Sequence, residues 1–353
     1  METLRDFGER FHMSFKAAIS EIQTDISRIS SDIFVEDVYA HIGVLASGKA
    51  KRIRPYVASV MYKEARRTTS EDAVMPVLVA LEMFHLFALI HDDIMDEADE
   101  RYGVATIHAH VRRNDEAKLG TVAADHIGRS HAILAGDMLL TQVHALFIKL
   151  ADLPDARKAH ELLITMSREI VTGQHLDLAY SVRSDSTKKD ILQRHHLKTS
   201  LYTFVRPMQI GSILGGGSEE LRVFCEAFGT AIGQGFQLED DLLDLLGNSA
   251  ETGKKTCIDI TQRQHTLLTE HVLTHGTPKE QAQLRSIWGK EIKGQLLMDT
   301  RQLFAATGAI DVVRSNALDA FTRAEELLNH AALQRDTTAA FHELLTLLRR
   351  RLP

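Results

Sequence analysis

Residues 74–96 read VMPVLVALEMFHLFALIHDDIMD, and the fold turns on this stretch. Its first part, 74–90, is almost wholly apolar; Asp92, Asp93 and Asp96 then fall within little more than one helical turn. Like charges that close repel one another, and buried charges must be paired or must hold a cation. The apolar run approaches the length of a membrane span, but Glu82 and His85 interrupt it and aspartates end it. A buried central helix over 72–98 is therefore expected, not a transmembrane segment.

The rest of the 353-residue chain agrees with a helical protein. Apolar residues recur at three- and four-residue spacing and β-branched alternation is scarce, which predicts an all-α fold. Residues 1–45 suggest one or two amphipathic outer helices, 219–246 a long helix ending near Gly247, 248–265 a polar loop, and 266–350 a series of terminal helices. Small residues over 124–146 suit close helix packing. With no repeat, linker or composition break, one bundle over 1–353 is the economical reading. Two cysteines cannot build a disulfide framework, and the N-terminus lacks a signal-peptide pattern, so a cytoplasmic location is expected. A net charge of −7 argues against a nucleic-acid binder.

The first acidic cluster has a partner. GQGFQLEDDLLDLLG (233–247) places Asp240, Asp241 and Asp244 at the same i, i+1, i+4 spacing. On a 3.6-residue helix Gln237, Asp240 or Asp241, and Asp244 share a stripe, as do His85, Leu89, Asp92 and Asp96 on the earlier helix. One such cluster reads most simply as a solvated acidic patch near a helix end. Two, each inside an apolar helix, predict facing carboxylates suited to Mg²⁺ shared with substrate phosphates. Cations to match are Lys51, Arg52 and Arg54 in KRIRP, Arg101, Lys198 in HHLKTSLY and Lys254 in GKKT. Arginine grips phosphate through two donors, and lysine acts as a point charge.

Taken in order, KRIRP, HLFALIHDDIMD, GRSHAILAGDMLL, GQHLDL, LKTSLY, GFQLEDDLLD and GKKTCID resemble the trans-isoprenyl diphosphate synthases, or polyprenyl synthetases. The match runs from about residue 47 to 260. It implies an all-α bundle around a deep central cavity, a homodimer, and head-to-tail prenyl transfer from an allylic diphosphate to isopentenyl diphosphate. It makes Asp92, Asp96 and Asp240 the main ligands of Mg²⁺, three ions with substrate bound, with Asp93, Asp241 and Asp244 supporting. Arg101, Lys198, Gln237 and Lys254 would hold the allylic diphosphate beside Thr199. Lys51, Arg54 and His85 would hold isopentenyl diphosphate, although His85 alone also reads as a core histidine satisfied by a neighbour. Gln174 and Asp177 match a helix near the site.

Product length in this family is set below the first aspartates. Phe84, Phe87 and Ala88 occupy that place here, Phe87 about 7.5 Å of helix before Asp92 and Phe84 about one turn further. An aromatic there, with no insertion in the first cluster, suggests a C20 product, with C15 second; Phe84 and Phe87 as ordinary core packing is the bland alternative. Three positions depart from the pattern. Tyr102 stands where a second arginine is usual, Gln264 where a lysine is usual, and Ala50 where a glycine is usual. Arg263 and Arg52 are the cations expected to compensate. Competing readings are a class I terpene cyclase, which normally replaces the second aspartate cluster, and a non-catalytic partner subunit, which would be expected to lose carboxylates. A di-iron bundle would need a second Glu-x-x-His, and an HD-type phosphohydrolase leaves the second cluster unexplained.

Overall fold

The computed structural model describes residues 2–350 apart from 49, 152, 154, 184–185 and 248–255. Lys254, expected to hold the allylic diphosphate, lies outside the described residues. The chain opens with α1 (Leu4–Ile29), where Thr3 and Asp6 cap each other's backbone N–H groups. Phe7, Phe11, Phe15, Ile19, Ile22 and Ile26 follow at three- and four-residue spacing and all are buried. Each such side chain contributes roughly 1.5–3 kcal/mol relative to leaving it in water. Next come α2 (Ile33–Ala46) and α3 (Ile53–Arg66).

The stretch expected as one helix over 72–98 is shorter and has a defined end. A 3-10 turn, Asp72–Val74, leads into α4 (Met75–Met95), and Asp96 forms its C-cap. Glu97 then takes a left-handed φ of 52°, and the chain enters a hairpin, β1 (Glu100–Arg101) and β2 (Val104–Ala105). The hairpin turn has Tyr102 at φ 55° and Gly103 at φ 79°. Two successive positive φ values match the twist of a tight hairpin, and this turn aims Arg101 back at the end of α4.

Then follow α5 (Ile107–Leu119), α6 (Thr121–Ile148), α7 (Ala156–Val182) and α8 (Lys188–His195). A π-helix, His196–Val205, continues from α8 into α9 (Arg206–Leu214). The long α10 (Glu219–Leu246) starts at a Ser218 cap and ends as the sequence predicts. The remaining helices are α11 (Ile258–Thr261), α12 (Leu267–His275), α13 (Pro278–Ile287), α14 (Gln295–Ala306), α15 (Ala309–His330) and α16 (Arg335–Arg349).

Helix α4 packs on α6 and α3, α3 on α9, and α10 on α15 and the π-helix. The π-helix is wedged between α7 and α10, and glycines make room for it. A Cβ on Gly233 would stand 2.5 Å from Ser200 Cα, and one on Gly173 would stand 2.9 Å from Lys198 Cγ. Among the described residues, two helical stretches, Asp72–Met95 and Thr121–Ile148, are long and apolar enough to cross a membrane. The most apolar window of the first is 67% buried inside the bundle, so its hydrophobicity is used in the core; for the second the figure is 39%.

Candidate active site

Helices α4 and α10 bring their acidic ends to one polar cavity of about 180 Å³. Asp96 comes from the first cluster and Asp241 from the second, with Gln237 one turn before Asp241. The π-helix supplies Lys198 and Thr199, α7 supplies Asp177, and α8 supplies Arg194 and His195. The segment after α10 closes the wall with Asp259, Gln262, Gln264 and Thr266.

Lys198 stands between the elements. Its Nζ donates to Asp177 Oδ2 at 2.6 Å and lies 3.7 Å from Asp92 Oδ1. Burial alone would lower the lysine pKa, but Asp92, Asp177 and Asp96 outweigh it and hold the ammonium above its ordinary value. Thr199 donates its hydroxyl to Gln237 Oε1, and Gln237 Nε2 donates to Asp241 Oδ1 at 2.9 Å. Gln237, Asp241 and Thr199 thus form one chain, on the face that the helical spacing predicts.

Burial raises the carboxylates of the cavity against the pull of the nearby cations. Burial, reinforced by Asp92, raises Asp96 to about 7. Burial also raises Asp241 to about 7, although Gln237 donates to it. Asp259 is pushed well above the carboxylate range by burial and by Asp244 and Asp241. Asp241 Oδ2 is buried without a hydrogen-bond partner. Hard oxygens, one of them without a hydrogen-bond partner among the described residues, fit a divalent ion such as Mg²⁺, which takes few protein ligands and keeps water or phosphate in its remaining positions.

The other expected carboxylates are placed differently. Asp93 is 2% exposed and accepts Arg101 Nε at 2.6 Å, while Arg101 Nη2 is 4.0 Å from Asp92. Burial raises Asp93 to about 6 against the pull of Arg101. Asp244 accepts the N–H groups of Ile258 (2.9 Å) and Asp259 (3.1 Å), which caps α11. Asp240 lies on the same end of α10, half-buried, outside the cavity lining.

A second polar cluster centres on Tyr202. His85 Nδ1 is 2.8 Å from its hydroxyl, and the Arg54 guanidinium lies 4.0 Å from its ring centroid. Arg54 also donates to Thr203 Oγ1 at 2.8 Å. Burial, then Arg54, Arg101 and Arg52, drive His85 well below the ordinary histidine pKa, so it is neutral. Lys51 is exposed, its ammonium 6.0 Å from the Phe236 ring centroid. Phe84 and Phe87 are buried and meet edge to face at 5.3 Å; Phe84 also faces Tyr202, and Phe87 faces His91. With half-buried Ala88 they lie outside the polar cavity lining.

Neither expected compensating cation reaches Gln264. Arg52 is buried in a pair with Glu82 (2.6 Å) and donates to Ala46 O. Arg263 is exposed and packs over Gly289. A residue that the sequence reading passed over does reach it: Arg194 donates to Gln264 Oε1 at 3.0 Å. Its signal was present, since Arg194 lies four residues before Lys198 and so on the same helix face.

An all-helical bundle with carboxylates and cations from separate helices around one cavity defines a prenyltransferase of the diphosphate-synthase class. The chain belongs to the polyprenyl synthetase family, whose profile matches residues 35–304. It is 29% identical over 328 residues to a short chain isoprenyl diphosphate synthase of Methanothermobacter thermautotrophicus, covering 93% of this chain and 91% of that one. It is 30% identical to a geranylfarnesyl diphosphate synthase of Natronomonas pharaonis, covering 83% and 84%. Among solved structures, a geranylgeranyl pyrophosphate synthase of Corynebacterium glutamicum, complexed with isoprenyl diphosphate and magnesium, superposes with a TM-score of 0.88. The two are 26% identical, with 97% of this chain and 99% of that one covered.

Proposed function

We propose that the chain condenses isopentenyl diphosphate with an allylic diphosphate in an Mg²⁺-dependent head-to-tail reaction, giving a C20 product, or a C15 product as the second choice. The observation that carries this reading is Lys198, set between Asp177 and Asp92 in a cavity that joins the acidic ends of α4 and α10. Asp92, Asp96, Asp240 and Asp241 are the residues to hold Mg²⁺, three ions with substrate bound, while Asp93 and Asp244 would have to share their present partners. The metal supplies positive charge against the diphosphate as it departs.

The chain's own residues do the rest. Lys198, Arg101 and Lys254 hold the allylic diphosphate, and Gln237 orients Thr199 and Asp241 beside it. Positive groups aimed at the leaving oxygens favour breaking of the allylic C–O bond. Arg54, His85 and Lys51 hold isopentenyl diphosphate near Tyr202, so that its double bond bonds to the allylic carbon and the resulting cation sheds a proton to the released diphosphate. The apolar side chains of α4 exclude water from the cation, and Phe84, Phe87 and Ala88 limit how far the product grows.

We also assign a homodimer in the cytoplasm. Ile164, Val171 and Leu178 are exposed on α7 at seven-residue spacing, and Ile133 and Leu134 are exposed on α6. An apolar stripe of that kind suits a second copy of the chain. Labelled isopentenyl diphosphate supplied with dimethylallyl, geranyl or farnesyl primer and Mg²⁺ tests the activity. Elongation ending at C20 or C15 is expected. Primer consumption without elongation would point to cyclisation or another acceptor instead.

A further inference from the structure

Among the described residues that line the cavity, Arg194 is the cation beside Lys198, and prenyl transfer gives it no direct task. It is 5% exposed. Nη1 donates to Asp177 Oδ1 and to Gln264 Oε1, both at 3.0 Å. Nη2 donates to His265 O at 2.8 Å and faces His195 Nε2 at 3.2 Å. Both terminal nitrogens are therefore committed to protein partners, so this arginine is not poised to grip phosphate itself.

What it holds is the residue that holds Lys198. Asp177 presents one oxygen to Arg194 and the other to Lys198. With both cations present, the charge of Asp177 is divided. Without Arg194, Asp177 would pair with Lys198 alone and draw the ammonium away from Asp92 and from any phosphate beside it. The guanidinium's charge also offsets that of Asp241 and Asp259 in the cavity wall. Gln264 is a neutral acceptor, so it fixes the arginine without consuming its charge.

We propose that Arg194, anchored by Gln264, is a positioning residue for prenyl transfer: by sharing Asp177 it leaves the charge of Lys198 available to the allylic diphosphate. This rests on the reading of Lys198 as a diphosphate-binding residue, so K198A is measured alongside. R194M is expected to raise KM for the allylic diphosphate about tenfold, the scale of one lost charge-assisted contact. KM for isopentenyl diphosphate should stay within about twofold, a split that general loosening of the fold would not produce. R194M/Q264K puts an ammonium back at the same spot and should recover about a third or more of the lost kcat/KM, because the two sites are in contact and couple.

If R194M does not fold, R194Q decides, since it can still donate to Asp177 and Gln264 but carries no charge. A rise of about threefold or more in allylic KM is expected, and an unchanged KM overturns the proposal. An R194M enzyme of wild-type allylic KM, beside a K198A enzyme that has lost activity, overturns it while leaving the Lys198 reading intact. An indifferent K198A removes both. Calorimetric titration of each variant with inorganic diphosphate gives a readout independent of turnover, and R194M should bind it more weakly than wild type.

Discussion

His85 and Tyr202 join α4 to the π-helix through a 2.8 Å contact between Nδ1 and the phenol hydroxyl. His85 is neutral, so with Tyr202 donating, its proton sits on Nε2, which becomes a donor toward substrate. The Y202F enzyme loses that control of the tautomer but keeps the ring under Arg54. KM for isopentenyl diphosphate should rise about threefold to tenfold, as for one hydrogen bond, with the allylic KM unchanged. Equal changes in both constants would count against the assignment.

Asp96 and Asp241 have pKa values of about 7, raised from 3.8 by burial. A carboxyl whose folded pKa exceeds its unfolded value binds more protons in the folded state. Its contribution to stability is therefore full below pH 3.8 and is lost as the pH rises toward 7. Mg²⁺ must displace those protons, so its apparent affinity should fall as pH drops below about 7. Thermal shifts with Mg²⁺ titrated at pH 6, 7 and 8 should show the larger stabilisation at pH 8. A flat profile would contradict the assignment of these carboxylates to the metal.

Replacing Asp96 or Asp241 with Ala should lower kcat by about a hundredfold or more, in line with removal of a preorganised electrostatic group. The folded protein should persist, because each substitution removes a poorly compensated buried charge. Circular dichroism and steady-state kinetics on the same preparations separate the two effects.

Gly233→Ala places a methyl group 2.5 Å from Ser200 Cα, a backbone atom that cannot turn aside. Overpacking of this kind costs about 1–3 kcal/mol. The π-helix carries Lys198 and Thr199, so activity should fall further than the melting temperature alone would predict. Denaturant melts beside kinetics measure both.

Phe87→Ala should lengthen the product by at least one isoprene unit if this side chain limits chain growth. It should also destabilise the fold by about 3–5 kcal/mol, because Phe87 is packed against Phe84 and His91. Product chain length read by chromatography on the folded fraction decides the first point. Destabilisation with an unchanged product would leave Phe87 as core packing alone.

How much of this could be read beforehand depended on whether the signal was local. The acidic repeats over 92–96 and 240–244 are periodic patterns, and α10 begins and ends where its cap residues and Gly247 place it. The end of α4 was misjudged by a few residues because Asp96, Glu97 and the Tyr102–Gly103 turn depend on backbone torsions that composition does not display. The π-helix was missed for a different reason. HLKTSLYTFV has ordinary helical periodicity, and its widened turns arise where it is wedged between Gly173 and Gly233. Arg194 was overlooked because one arginine in a polar segment reads as surface until Asp177, Gln264 and His265 close over it.

Gln262 donates its side-chain amide to Asp96 O at 3.1 Å, across 166 positions of sequence. That tie has a consequence for how the protein is made. The aspartates of α4 leave the ribosome long before α10 and the residues after it, and until then their eventual neighbours do not exist. Closing a loop of that length costs about 4–5 kcal/mol of chain entropy beyond a constant. A chain truncated before residue 262 would lack this tie and also the core side chains Phe321 and Phe341, so its site and its core would both be unfinished.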